Sequence, residues 1–139
     1  MPEPSFEEIE HTADWAIRVR ARDLPELFAT AARGMFSLLA DLSTVPAARQ
    51  FEIDLGAIDA ETLLIDWLNE LLYLAEEHQL IFASFTIHEI GGNGPVRLRA
   101  TAGGGAPDEL LKTIKAATFS SLSIERDGER YQAELVFDV

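Results

Sequence analysis

Residues 59–78 read DAETLLIDWLNELLYLAEEH, and this stretch carries the clearest helical period in the chain. Its large apolar residues recur at intervals of three and four positions, which places them on one side of a helix. They are Leu63, Leu64, Trp67, Leu68, Leu71, Leu72 and Ala75. Asp59 stands at the N-cap position, where a carboxylate can accept hydrogen bonds from the free N–H groups of the first turn. We therefore predict a helix from near Asp59 to about His78.

A second helical pattern lies upstream. Asp23 is the predicted N-cap, and Pro25 and Glu26 suit the opening turn. One apolar stripe follows, made of Leu24, Leu27, Phe28, Ala31, Met35, Leu38 and Leu39. Gly34 interrupts this stripe at a cost of about 1 kcal/mol relative to alanine.

Most of the remaining chain alternates between apolar and polar residues, as strands do. The predicted strands are Phe6–Glu10, Trp15–Ala21, Phe51–Leu55, Phe82–Ile90, Val96–Ala102, Lys115–Ile124 and Arg130–Asp138. Residues 91–95 and 126–129 are rich in glycine and predict hairpin turns, so the pairing should be antiparallel. A short third helix is expected over 107–112. The pattern predicts an α+β fold, in which mostly antiparallel sheet packs against two long helices on one face.

Length and composition limit the class of protein. A chain of 139 residues suits one domain spanning 1–139. The absence of cysteine excludes disulfides, thiolate zinc sites and cysteine nucleophiles. Nothing in the sequence looks like a secretory signal or a membrane span, so we expect a cytoplasmic protein. The net charge of −13 disfavours direct strong binding to nucleic acid or to anionic membranes.

Acidic residues near the two ends of the chain are the candidates for a metal site. Asp138 lies beside Val139, whose terminal carboxylate is a second oxygen donor, and Asp14 lies in the loop between the first two predicted strands. Carboxylate oxygens suit a hard divalent cation, Ca²⁺, Mg²⁺ or Mn²⁺. The site requires that the first and last strands be neighbours. Taken singly, Asp14 is equally explained as a turn residue, His11 as a partner of a backbone carbonyl and Asp138 as a solvated terminus.

Other residues give weaker evidence of a functional site. Lys115 is one of two lysines in the chain and begins a predicted strand, where it could also be a simple edge charge. Trp15, Trp67 and Phe119 are better explained as core residues than as platforms for stacking bases. No nucleophile is accompanied by an evident base, so catalytic residues are not predicted.

Five segments, taken in order, resemble the archease family over nearly the whole chain. They are 11–14 (HTAD), 32–36 (ARGMF), 64–73 (LIDWLNELLY), 114–118 (IKAAT) and 136–139 (VFDV). The resemblance implies an archease-like fold and a non-enzymatic role. Archeases activate RtcB-type RNA ligases, which join 3′-phosphate or 2′,3′-cyclic-phosphate RNA ends to 5′-hydroxyl ends in tRNA splicing or RNA repair. They promote guanylylation of the ligase and allow multiple turnover.

Carried over by motif, the resemblance makes Asp14 and Asp138 candidate metal ligands, with the terminal carboxylate of Val139 as a further candidate donor. It leaves His11 and Lys115 as further functional candidates. The sequence departs from the family pattern in two places, because residues 103–110 carry no histidine and Phe119-Ser120 replaces an aromatic-histidine pair. The resemblance also allows a second role, as a chaperone or specificity modulator of an RNA-modifying enzyme such as a tRNA methyltransferase. A metal-dependent hydrolase is a third and weaker interpretation, because two or three acids without a base give it little support.

Overall fold

Two long helices and eight strands make up the part of the chain that the structure describes, residues 3–9, 15–119 and 122–139 of a computed structural model. The helices are α1 (Leu24–Leu39) and α2 (Ala60–His78). The strands are β1 (Ser5–Ile9), β2 (Trp15–Ala21), β3 (Arg49–Ala57), β4 (Ile81–Gly91), β5 (Val96–Gly105), β6 (Ala116–Thr118), β7 (Glu125–Asp127) and β8 (Arg130–Asp138). A single 3-10 turn, Leu42–Thr44, follows α1.

Both helices begin where the sequence predicts. The carboxylate of Asp23 accepts a hydrogen bond from the backbone N–H of Glu26 at 2.9 Å, and that of Asp59 accepts one from Thr62 at 2.8 Å. Each bond satisfies one of the N–H groups left free at a helix start. Helix α2 ends at Gln79, which adopts the left-handed conformation with φ 54°. Neither helix in the described ranges is long and apolar enough to cross a membrane.

The strands form two antiparallel sheets. The larger has the order β1-β2-β8-β6, with β7 also paired to β8, and the smaller has the order β3-β5-β4. Two hairpins predicted from glycine-rich turns, β4–β5 and β7–β8, are confirmed. The last strand β8 is therefore an inner strand of the larger sheet, with β2 on one side and β6 on the other.

The core lies between the helices and the inner faces of both sheets. Helix α1 contacts β2 and β4, whereas α2 contacts β3 and β6, so each helix bridges the two sheets. Trp67 is fully buried and its indole N–H donates to the carbonyl of Phe28 at 3.0 Å, which joins α2 to α1. The outer face of the larger sheet is polar, and there Arg18 pairs with Glu7 and Glu134. The predicted α+β class with two helices on one face is confirmed, with the strands divided between two sheets.

Gly34 allows α1 to lie close against the larger sheet. A Cβ at this position would stand 2.8 Å from Cδ1 of Ile17 and 2.9 Å from Cγ of Phe6. Real Cβ atoms do not approach other carbons so closely, because the atoms would overlap. The glycine that weakens the helical pattern in the sequence is therefore the residue that admits the side chains of β1 and β2.

Three sequence predictions are wrong. Residues 107–112 are not helical; the segment 106–115 runs without regular structure, and Leu111 donates its N–H to the carbonyl of Leu39 at 2.7 Å. Six residues are too few to hold a helix when their backbone groups are bound elsewhere. The strand predicted over Lys115–Ile124 is limited to Ala116–Thr118. Phe119, predicted to be in the core, is 55% exposed.

Candidate site at the ends of β2, β6 and β8

The last strand ends on an exposed acid. Leu135, Val136 and Phe137 are buried, whereas the next residue, Asp138, is exposed. Successive side chains of a strand point to opposite faces, so Asp138 lies on the face opposite Phe137. Within the described residues, the Asp138 carboxylate makes neither an ion pair nor a hydrogen bond. An exposed carboxylate without a partner can bind a cation without first breaking another interaction.

The condition set for the predicted metal site is not met as stated, because the last strand, β8, pairs with β2 and not with the first strand, β1. Trp15, the first residue of β2, lies opposite Phe137, and the register continues to Ala21 opposite Tyr131. The end of β8 that carries Asp138 is therefore next to the start of β2. Two of the predicted site residues, His11 and Asp14, lie outside the described residues, so their placement stays a prediction.

Strand β6 brings Lys115 to the same end of the sheet. Ala116 lies opposite Asp138, and the backbone N–H of Lys115 donates to the carbonyl of Asp138 at 2.7 Å. The Lys115 side chain is exposed, and no ion pair joins it to the Asp138 carboxylate. The structure thus brings together two of the predicted residues, Lys115 and Asp138, through their backbones, with Val139 following directly.

Asn69 of α2 holds β6 in place from the other side. Its amide oxygen accepts from the N–H of Ala117 at 2.8 Å, and its amide nitrogen donates to the carbonyl of the same residue at 3.1 Å. These two bonds replace those that a neighbouring strand would make. A three-residue edge strand is thereby fixed between β8 and a helix, which also fixes the backbone of Lys115.

Lys112 links the irregular segment 106–115 to the strands on both sides of residues 10–14. Its ammonium lies 3.8 Å from the centre of the Trp15 ring, at the start of β2. It also lies 4.0 Å from a carboxylate oxygen of Glu8, near the end of β1. An ammonium over an indole face contributes about 0.5–1 kcal/mol at an exposed site. Both lysines of the chain therefore lie near the predicted metal site.

Sequence reasoning did not single out Asn69 or Lys112 for these roles. A signal for Asn69 exists, because asparagine is unfavourable inside a helix and here it interrupts a run of strong helix formers. The signal for Lys112 is the scarcity of lysine. Neither signal predicts the contact partner, because Ala117 is far from Asn69 in the sequence and Trp15 is far from Lys112.

The donor set fits a hard cation only in part. Asp138 contributes an exposed carboxylate with no competing partner, which suits an oxygen-binding ion. Among residues 3–9, 15–119 and 122–139, however, no three histidine or acidic side chains come together as a metal cluster. A site with three such side chains at Asp138 therefore needs at least one of them from outside those ranges.

The family of the chain follows from its match to known proteins. The model of the Archease protein family matches residues 6–139. The chain belongs to the archease family. The archease of Methanosarcina acetivorans is 35% identical over 139 residues, covering 96% of this chain and 95% of that protein. The archease of Methanopyrus kandleri is also 35% identical, covering 96% and 99%.

Solved structures agree with this archease assignment. The solution structure of protein 1598 from Methanobacterium thermoautotrophicum has a TM-score of 0.84 and 29% identity, covering 96% of this chain and 98% of that one. The crystal structure of an archease from Thermotoga maritima has a TM-score of 0.59 and covers 96% of each chain. At 22% identity, this second likeness shows the fold alone. The resemblance predicted from five short segments is confirmed.

Proposed function

We propose that this archease-family chain is a non-enzymatic, metal-binding cofactor of an RtcB-type RNA ligase. In this role it stimulates guanylylation and multiple turnover during tRNA splicing or RNA repair in the cytoplasm. Family membership supports the general role. The observation that carries the proposal furthest is the register that sets Trp15 opposite Phe137, because it joins the two ends of the sequence that hold the predicted acids.

Asp14 and Asp138 would be the principal ligands. Asp14 precedes Trp15 in the sequence, and Trp15 pairs with Phe137, the residue before Asp138. Val139, which follows Asp138 directly, is the third candidate residue of the site. A bound Ca²⁺, Mg²⁺ or Mn²⁺ would supply a concentrated positive charge at the tip of an acidic protein.

The surrounding residues would keep these donors in position. Asn69 fixes β6, and the N–H of Lys115 holds the backbone of Asp138. Lys112 connects the start of β2 to the segment before β6. His11 and the exposed Lys115 side chain remain candidates for contact with the partner. A site on strands fixed from both sides keeps its geometry better than a site on a free loop.

Charge supports a protein partner rather than RNA alone. With a net charge of −13, the chain is repelled by phosphate backbones but attracted to the basic surface that an RNA-binding enzyme presents. The ligase would therefore bind the RNA, and the archease-family protein would act on the ligase. Direct strong binding to nucleic acid is not part of the proposal.

A multiple-turnover ligation assay with the cognate ligase tests this function. The wild-type protein is expected to raise the number of ligations per ligase molecule, whereas Asp14→Ala and Asp138→Ala should fail to do so. Asp66→Ala is a matched control, since Asp66 is an exposed acid on α2. If both variants at the predicted site stimulate as well as wild type, the metal-site account is wrong.

The same assay separates the alternatives. Binding to a tRNA methyltransferase without any effect on ligation would favour the role of chaperone or specificity modulator. RNA cleavage by the purified protein alone, abolished by Asp138→Ala, would instead identify a metal-dependent hydrolase. The proposed cofactor role predicts no such cleavage.

A further inference from the structure

A large groove runs along α2 beside the candidate site. Its volume is about 820 Å³, and it is lined by residues of α2 and its C-cap from Asn69 to Gln79, by the irregular segment 106–115 and by Ala116 of β6. Ten residues of helix give a length of about 15 Å. Lys115 and Ala116 lie at one end, so the groove leads directly to the strand that pairs with Asp138.

The floor and rims of the groove are apolar. Leu72 and Ile114 lie buried at its base, whereas Tyr73 is 60% exposed and Leu110 is 64% exposed. No described residue of the chain covers these two side chains. Exposed large apolar groups that line one concave surface are typical of a binding site, whereas single scattered ones are common on any surface.

Charge divides the groove into two ends. Lys115, whose side chain is exposed, lies at the end near Asn69, whereas the ammonium of Lys112, the other lysine of the chain, lies over the Trp15 ring. Glu76 lies about two helical turns further along α2. A net charge of −13 makes a cationic end exceptional on this protein. It favours a ligand that carries a negative group at that end and apolar groups along its length.

We infer that this groove is the docking site for an amphipathic segment of the ligase, with apolar side chains against Tyr73 and Leu110 and a carboxylate beside Lys115. The inference rests on the proposed function, because the ligase is the partner. A segment laid along a helix buries its apolar side chains in the manner of helix-in-groove recognition. In this division of roles, the groove binds the ligase and the acidic end of β8 activates it.

Two variants of the groove test this division without disturbing the acids. Leu110→Asp places a charge among apolar contacts, and Tyr73→Ala removes an aromatic anchor. Both side chains are exposed, so the fold should be kept. Each variant should raise the concentration of protein that gives half-maximal stimulation by at least about tenfold, as expected for an anchor residue of an interface. The ligation rate at saturation should equal that of wild type.

Ile58→Asp is the matched control. Ile58 is 80% exposed but lies before the start of α2, away from the groove. It should leave half-maximal stimulation unchanged. Asp138→Ala should have the opposite signature to Leu110→Asp, with a lowered rate at saturation and an unchanged half-maximal concentration.

The outcomes distinguish the two proposals. If Leu110→Asp and Tyr73→Ala keep the half-maximal concentration of wild type while wild type stimulates, the groove proposal is overturned and the cofactor role stands. If wild type does not stimulate at all, the cofactor role fails and the groove proposal fails with it. Thermal unfolding of each variant, expected near wild type, shows that a change in stimulation does not come from loss of the fold.

Discussion

Replacing Asn69 with alanine would remove the two hydrogen bonds that hold β6 against α2. Each such bond contributes about 0.5–1.5 kcal/mol, and half-buried backbone groups left without partners cost more. Alanine recovers about 0.5 kcal/mol through its higher helix propensity. We therefore expect a net loss of about 2 kcal/mol. For 139 residues, an unfolding entropy of about 2.1 cal/mol/K per residue converts this loss into a fall in Tm of about 7 °C.

Thermal unfolding followed by circular dichroism, together with amide hydrogen exchange at Ala117, measures this effect. The N–H of Ala117 loses its acceptor in Asn69→Ala, so its exchange should accelerate by about 30-fold, the equivalent of 2 kcal/mol. Asp66→Ala is the control, because it brings a similar propensity gain at an exposed position of the same helix. A Tm for Asn69→Ala within about 2 °C of that control, with unchanged exchange at Ala117, would refute the role of Asn69.

Two further predictions concern the larger sheet. Gly34→Ala should lower stability by about 1 kcal/mol, because the new methyl would meet Ile17 Cδ1 at 2.8 Å and Phe6 Cγ at 2.9 Å. In an Ile17→Val, Phe6→Ala background, which lacks both atoms, the same change should cost less because the gain in helix propensity remains, and calorimetry of the four proteins decides. Hydrogen bonds from Arg18 and Arg20 lower the pKa of Glu7 below its ordinary 4.5. The stabilisation from this ionised carboxylate is present above pH 4.5 and is lost as pH falls through the lowered pKa. Glu7→Gln should therefore make the fall of Tm at acidic pH shallower. The same dependence of Tm on pH in Glu7→Gln and wild type would contradict this.

The helices could be predicted because their signals are local. Asp23 and Asp59 each accept a hydrogen bond from the backbone N–H three residues further along the chain. The apolar stripe of each helix also repeats within one continuous stretch of sequence. Hairpins with glycine at the turn were predicted for the same reason. The wrong predictions occur where distant groups decide the structure. Residues 107–112 have a helical start signal, but Leu111 is bound to Leu39 and Ile114 is buried against the core.

The site could be predicted only as a list of residues. The sequence points to Asp138 and Lys115, but their shared position depends on β8 lying between β2 and β6. Asn69 is 48 residues from Ala117, its partner in β6, so its role needs the folded structure. The groove could not be predicted from the sequence either, because one wall is a helix and the other is an irregular segment that no periodic pattern describes.

Stimulation of the ligase and metal binding should depend on the same acids, Asp14 and Asp138. The groove would hold the ligase, and the end of β8 would present the cation to it. The contacts of Asn69 and Lys112 would matter for activity, because they hold in place the strands next to the metal-binding acids. Variants that loosen β6 should therefore weaken metal binding as well as stability.

Titration of Mn²⁺ by isothermal calorimetry into wild type, Asp14→Asn and Asp138→Asn tests the central claim most directly. We predict that wild type binds one ion and that each substitution weakens binding by at least about tenfold. The double variant should bind little worse than either single variant, because both acids serve the same ion. Asp66→Asn should bind as wild type does. Wild-type affinity in either Asp14→Asn or Asp138→Asn would contradict the claim that the two ends of the chain form one metal site.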